Sequence, residues 1–82
     1  MKFQIHVHLK PEVLDAQGRE IQNSLARIGY DQIDQIQVGK SFTLNIKDCK
    51  DEATGIEYAS TIAKKVLANP SAETFAVRRV ED

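Results

Sequence analysis

Cysteine is almost missing from these 82 residues: Cys49 is the single one. One thiol cannot form an internal disulfide, so a cystine-stapled scaffold is excluded. No apolar run is long enough to cross a bilayer as a helix. No charge of one sign dominates either. Eleven Lys and Arg oppose twelve Asp and Glu, a net of −1. Such a chain has no basic field with which to gather nucleic acid or anionic lipid. Internal repeats, low-complexity tracts and linkers are absent. Met1-Lys2-Phe3 leads straight into a strand pattern, so no targeting segment is expected. The expectation is one domain over 1–82 in a reduced, cytoplasmic setting, with no nucleic acid and no membrane as partner. A domain this small buries about 60–65% of its unfolded surface and is marginal alone. Association with other chains is a common remedy.

What is present is a clear order of elements. Residues 2 to 10 alternate, with Phe3, Ile5, Val7 and Leu9 on one face and Lys2, Gln4, His6, His8 and Lys10 on the other. That period of two predicts a half-buried strand, ended by Pro11. Asp15 fits a helix N-cap, and Gly29 fits the left-handed residue that stops the helix. Between them Leu14, Gly18, Ile21, Leu25 and Ile28 form a stripe at helical spacing, expected to be buried. A second strand is expected over about Ile33 to Val38, with Ile36 and Val38 inward. Gly39-Lys40 then reads as a tight hairpin turn into a third strand, Ser41 to Lys47, with Phe42, Leu44 and Ile46 inward. Asp51 caps a second helix with the stripe Ile56, Ala59, Ile62, Ala63, Val66 and Leu67. Asn69-Pro70 stops it. A last strand runs over about Thr74 to Val80, with Phe75 and Val77 inward. The order β-α-β-β-α-β predicts an α+β, ferredoxin-like sandwich, two helices on one face of an antiparallel sheet.

Two helices cover one side of such a sheet. The other side should carry Gln4, His6, His8, Gln35, Gln37, Ser41, Thr43 and Asn45, nearly all uncharged and polar. A face of this kind can be desolvated at moderate cost if a partner satisfies its hydrogen bonds. It therefore reads as a surface for packing against another sheet in a homo-oligomer, or as a solvated face poor in charge. Lys40, at the expected turn, is an exposed cation open to a partner. Gly18 inside a helix disfavours it by ~1 kcal/mol. It implies close approach, either of helix to sheet or of a partner's backbone or a ligand to the first turn, where Asp15 and Gln17 also lie.

Reactive chemistry is harder to find. His6 and His8 point the same way, a spacing that can present two imidazoles to one metal, but a third ligand is lacking; hydrogen-bonding surface histidines fit better. Cys49 has no histidine or second thiol placed to use it. Gly39-Lys40-Ser41 imitates the end of a phosphate-binding loop, yet Asp34 stands where the first glycine belongs, and the turn joins strand to strand. No Ser-His-Asp set, carboxylate pair or metal cluster is legible. Phe3 and Phe42 have core parity, so the open face lacks the stacking platform of an RNA-recognition module.

Leu9-Lys10, Val13-Leu14-Asp15, Gln17-Gly18, Leu25, Gly29-Tyr30, Val38-Gly39-Lys40 and Leu67-Ala68-Asn69-Pro70 occur in this order along nearly the whole chain. In order and spacing they resemble the PurS family, the small subunit of phosphoribosylformylglycinamidine (FGAM) synthase. The resemblance implies a dimer or tetramer without catalytic residues or a cofactor of its own. It implies a subunit of a C–N ligase complex that uses ATP, Mg and glutamine, joining the glutaminase PurQ to the synthetase PurL. In that complex formylglycinamide ribonucleotide, glutamine and ATP become the amidine, ADP, phosphate and glutamate. Ser71 and Ala72 follow Pro70 where the family commonly has aliphatic residues, and Arg78 and Arg79 are more basic than the family pattern. The interface set expected on this basis is Gln4, His6, His8, Gln35, Gln37, Lys40, Thr43, Asn45, Asp15, Gln17 and Gly18. The competing reading is an ACT-like regulatory domain that senses a small molecule between protomers. Pro11-Glu12 replaces the glycine-containing loop that such a site would need.

Overall fold

A computed structural model describes residues 1–81. Its centre is the alternating strand β1 (Lys2–Leu9), which pairs antiparallel on both sides. Its partners are β2 (Gly39–Asn45) and β3 (Glu73–Val80), giving the order β2-β1-β3. Ile5 lies opposite Phe42 on one side and Val77 on the other. Phe3, Ile5 and Val7 are sealed from solvent, as the period of two requires.

The helix α2 (Glu52–Ile62) lies on that apolar face, against β1 and β3. Asp51 caps it by accepting from the Thr54 N–H at 2.7 Å. The approach is close because the contact residues are small. Ala59 and Ala63 are fully buried, and a Cβ added at Gly55 would run into the Phe3 ring. The last turn, Ala63–Leu67, widens into a π-helix, with the Ala68 N–H reaching the Ala63 carbonyl at 2.9 Å. A wider turn shifts the angular position of each later side chain. Val66, expected in the buried stripe, therefore turns outward and is 78% exposed. The turn at Asn69-Pro70 is held by its own polar groups. Glu73 Oε1 accepts from the Asn69 N–H at 2.7 Å, and Asn69 Oδ1 accepts from the Ser71 N–H at 3.0 Å. β3 starts at once at Glu73, so Ser71 and Ala72 leave it intact.

The α+β, ferredoxin-like class holds, with three strands among the described residues. The strand expected at 33–38 does not form. Its apolar residues, Ile33, Ile36 and Val38, are spaced by three and then two, which no sheet face accommodates in register. The backbone groups of this segment are engaged elsewhere. The Gln22 side-chain amide donates to the Ile33 and Asp34 carbonyls at 3.0 and 2.6 Å, and the Val38 N–H donates to Asp15 Oδ2 at 2.8 Å. Gly39-Lys40 is accordingly no hairpin turn. It opens β2, pairing with His8 and Val7.

The helix α1 (Ala16–Arg27) has the ends that the sequence writes for it. Asp15 accepts from the Gly18 N–H at 2.9 Å. Gly29, at φ +104°, closes the other end: its N–H reaches the Ala26 carbonyl, and that of Tyr30 reaches the Leu25 carbonyl. The burial of its stripe is another matter. Gly18 is buried and Leu25 half-buried, but Leu14 and Ile28 are each 70% exposed and Ile21 is exposed too. Among the described residues α1 packs substantially on neither the sheet nor α2. With segment 28–38 it forms an arm, rooted at the end of the sheet where Leu9 and Gly39 lie. The molecule measures 50 × 29 × 14 Å with a radius of gyration of 16.0 Å, where about 12 Å is usual for this length.

Candidate functional site

The first surface is the side of the sheet away from α2. The register sets Thr43, Gln4 and Arg78 in one row, Ser41, His6 and Ala76 in the next, and Gly39, His8 and Thr74 in the third. Asn45, Lys2 and Val80 complete it. Arg78 donates from Nε and Nη2 to Gln4 Oε1 at 3.0 and 2.8 Å. Arg78 was missing from the expected face, although the inward parity of Phe75 and Val77 places it there. His6 is exposed. His8 Nδ1 lies 3.2 Å from Gln37 Nε2, and the same amide donates to the Leu9 carbonyl at 3.2 Å.

Six of the expected positions lie elsewhere. Gln35 and Gln37 belong to the arm, since segment 33–38 is outside the sheet; Gln37 touches only the rim, through His8 and Leu9. Lys40 pairs with Val7 and so shares the face of Phe42. Its Nζ lies 3.9 Å from Glu73 Oε2 and 5.9 Å from the Phe42 ring centre. Gly18 answers to this chain's own backbone: a Cβ there would collide with the Ile36 carbonyl oxygen. Asp15 and exposed Gln17 stand beside it at the root of the arm.

Among the described residues two carboxylates are shifted. Asp15 is held below the ordinary aspartate value by the Val38 N–H first and the Gly18 N–H second. Asp51 is held down by the backbone N–H of Thr54 and then by its hydroxyl. Both carboxylates are helix caps, anionic because backbone donors solvate them. Cys49 donates to the Asp51 carbonyl at 3.2 Å. No group of three His, Cys, Asp or Glu placed to hold a metal occurs among the described residues.

The second surface is apolar and was not anticipated. Because α2 covers β1 and β3, the inner face of β2 is left half-covered. A groove of about 580 Å³ opens there, walled by Leu44, Ile46, Cys49, Tyr58 and Ile62. Leu14, Ile21 and Ile28, along the α1 stripe, form a further exposed apolar surface. No pattern in the sequence separates a stripe buried within its own chain from one buried against another.

The family model for PurS, phosphoribosylformylglycinamidine (FGAM) synthase, matches residues 2–81. The chain belongs to the PurS family. It is 37% identical over 71 residues to the PurS subunit of phosphoribosylformylglycinamidine synthase from Synechocystis, which covers 87% of this chain and 70% of that one. Bacillus subtilis PurS superposes with a TM-score of 0.83 at 28% identity, covering 98% of both chains. A chain of the PurLQS structure from Thermotoga maritima superposes at 0.86 with 25% identity, covering 96% of this chain and 95% of that one. Family and fold thus place the chain with the FGAM synthase subunits of purine biosynthesis.

Proposed function

We propose that this chain is a non-catalytic assembly subunit of FGAM synthase. It self-associates as a dimer or tetramer and bridges a PurQ-type glutaminase and a PurL-type synthetase. Ammonia released from glutamine then reaches formylglycinamide ribonucleotide within the assembly. ATP and Mg are used by the synthetase partner, and the chain contributes no cofactor of its own. The setting is cytoplasmic.

The observation that carries this reading is the likeness, over nearly the full chain, to a subunit of the T. maritima PurLQS structure. The surfaces support it. Both shifted carboxylates are spent on helix caps, while broad polar and apolar faces stand open. The open sheet face, with Gln4, His6, His8, Thr43 and Asn45, is the surface we assign to packing against another sheet. Exposed Gln17, Gln35 and Gln37 extend it at the root of the arm. Asp15, Gly18 and Lys40 act beneath, by fixing the arm and the sheet edge.

Gel filtration of this chain mixed with PurQ and PurL, in glutamine and Mg-ADP, tests the reading. Co-elution of all three, together with glutamine-dependent FGAM formation that requires the chain, is expected. Turnover by the isolated chain, or full activity of PurQ and PurL without it, would overturn it.

A further inference from the structure

We infer that the cleft at the root of the arm is a binding site for a free α-amino acid, taken as its zwitterion.

The sheet register builds the site. On the apolar face, Lys40 stands opposite Val7 on one flank of β1, and Glu73 stands opposite Leu9 on the other flank. Two opposite charges from different strands therefore reach toward each other over a floor of Val7 and Leu9, with Lys40 Nζ 3.9 Å from Glu73 Oε2. No residue of α2 lines this end of the face. Val38 of the arm forms a wall and exposed Gln17 stands at the mouth. The space enclosed is about 460 Å³, a size that small-molecule sites share.

The two charges are held in place without being used up. At 3.9 Å they lie beyond hydrogen-bond reach of each other. The Glu73 side chain is only 20% exposed, and its other oxygen accepts from the Asn69 N–H at 2.7 Å. That bond aims Oε2 into the cleft, where it accepts no hydrogen bond among the described residues. Lys40 carries three N–H donors on an ammonium 5.9 Å from the Phe42 ring centre. A simple anion or a simple cation would attract one of this pair and repel the other. A molecule with an ammonium and a carboxylate one carbon apart satisfies both. Its ammonium donates to Glu73 Oε2, and its carboxylate accepts from Lys40 Nζ. Its side chain then rests on Val7, Leu9 and Val38, which selects an aliphatic stem. Asp15, the other acid of the cleft, does not compete for the ammonium, because both of its oxygens accept from backbone N–H groups. Every group used belongs to one chain, so the site stands or falls separately from the assembly role.

Amide NMR of the full chain, titrated with leucine and with glutamine, tests the site. Isopentylamine and isocaproate, which are leucine without its carboxylate and without its amine, serve as one-headed controls. At least one of the two amino acids should shift the amides of Val7, Leu9, Val38 and Gly39 saturably, with a Kd of about 1 mM or tighter. Both controls should bind at least about tenfold more weakly. Glu73→Gln keeps an acceptor for the Asn69 N–H and loses the charge; it and Lys40→Gln should each weaken binding by about tenfold or more. Arg79→Gln, at the other end of the same face, should leave it unchanged. A thermal melt checks that each variant folds, and the one-headed controls decide the matter on the wild type where a variant does not. No saturable shift with either amino acid, equal binding by a one-headed control, binding unchanged in either charge variant, or an equal loss with Arg79→Gln would overturn the assignment.

Discussion

The two helices of this chain are built from the same devices and meet different fates. Each begins with an aspartate that accepts from the N–H three residues on, and each buries a glycine. Gly55 of α2 faces a side chain, the Phe3 ring at the heart of the sheet. Gly18 of α1 faces a backbone carbonyl of the neighbouring segment. The first glycine joins its helix to the core. The second joins its helix to a strap of the same arm and leaves the apolar stripe uncovered. Helix formation is thus a local property, set by caps and spacing, whereas burial is decided by what the rest of the chain, or another chain, supplies.

The contrast can be broken by substitution. Ile5→Ala, at a site with no exposure, should destabilise by about 2–5 kcal/mol, read as a lower urea midpoint. Gly55→Ala should follow at about 1–3 kcal/mol from overpacking against Phe3. Gly18→Ala should lose a similar amount but locally, with faster amide exchange over 16–38 and little change in β1 or α2. Equal exchange throughout would show that the arm is part of the main core. Leu25→Ala, half-buried, should have a smaller effect of about 1–2 kcal/mol, which grows with protein concentration if a second copy covers it.

The smallest effect concerns pH. Asp15 and Asp51 are depressed in the folded state, so the unfolded chain takes up protons first as pH falls. Their contribution is fully present above the ordinary aspartate value and is lost as pH drops below about 4 through the folded values. Asp15→Asn keeps the cap acceptor and loses the titration. Its urea midpoint should fall less steeply between pH 5 and pH 2 than that of the wild type. Parallel acid limbs would contradict the assignment.

Much of this was legible in the sequence. Caps, stops, the alternation of β1 and the small residues of α2 are local chemistry, and the structure keeps them. Three things were not legible. Ile33, Ile36 and Val38 carry strand-like residues, but Gln22 and Asp15 compete for the backbone of that segment from another element. Lys40 lies in a strand and not at a turn because pairing starts at Gly39. Val66 left the core because the π-turn altered the pitch after Ala63. For the candidate surfaces, side-chain parity along β1 and β2 gave most of the open face and missed Arg78. The groove depends on α2 favouring β3 over β2, a choice written in no local pattern.

Hydrogen exchange of the intact chain, followed by mass spectrometry across a dilution series from micromolar to nanomolar, bears most directly on the uncovered arm. Protection over residues 16–38 should fall with dilution as the covering copy departs, ahead of any loss in α2. Arm protection that stays constant over the whole series would mean that nothing outside the chain covers it.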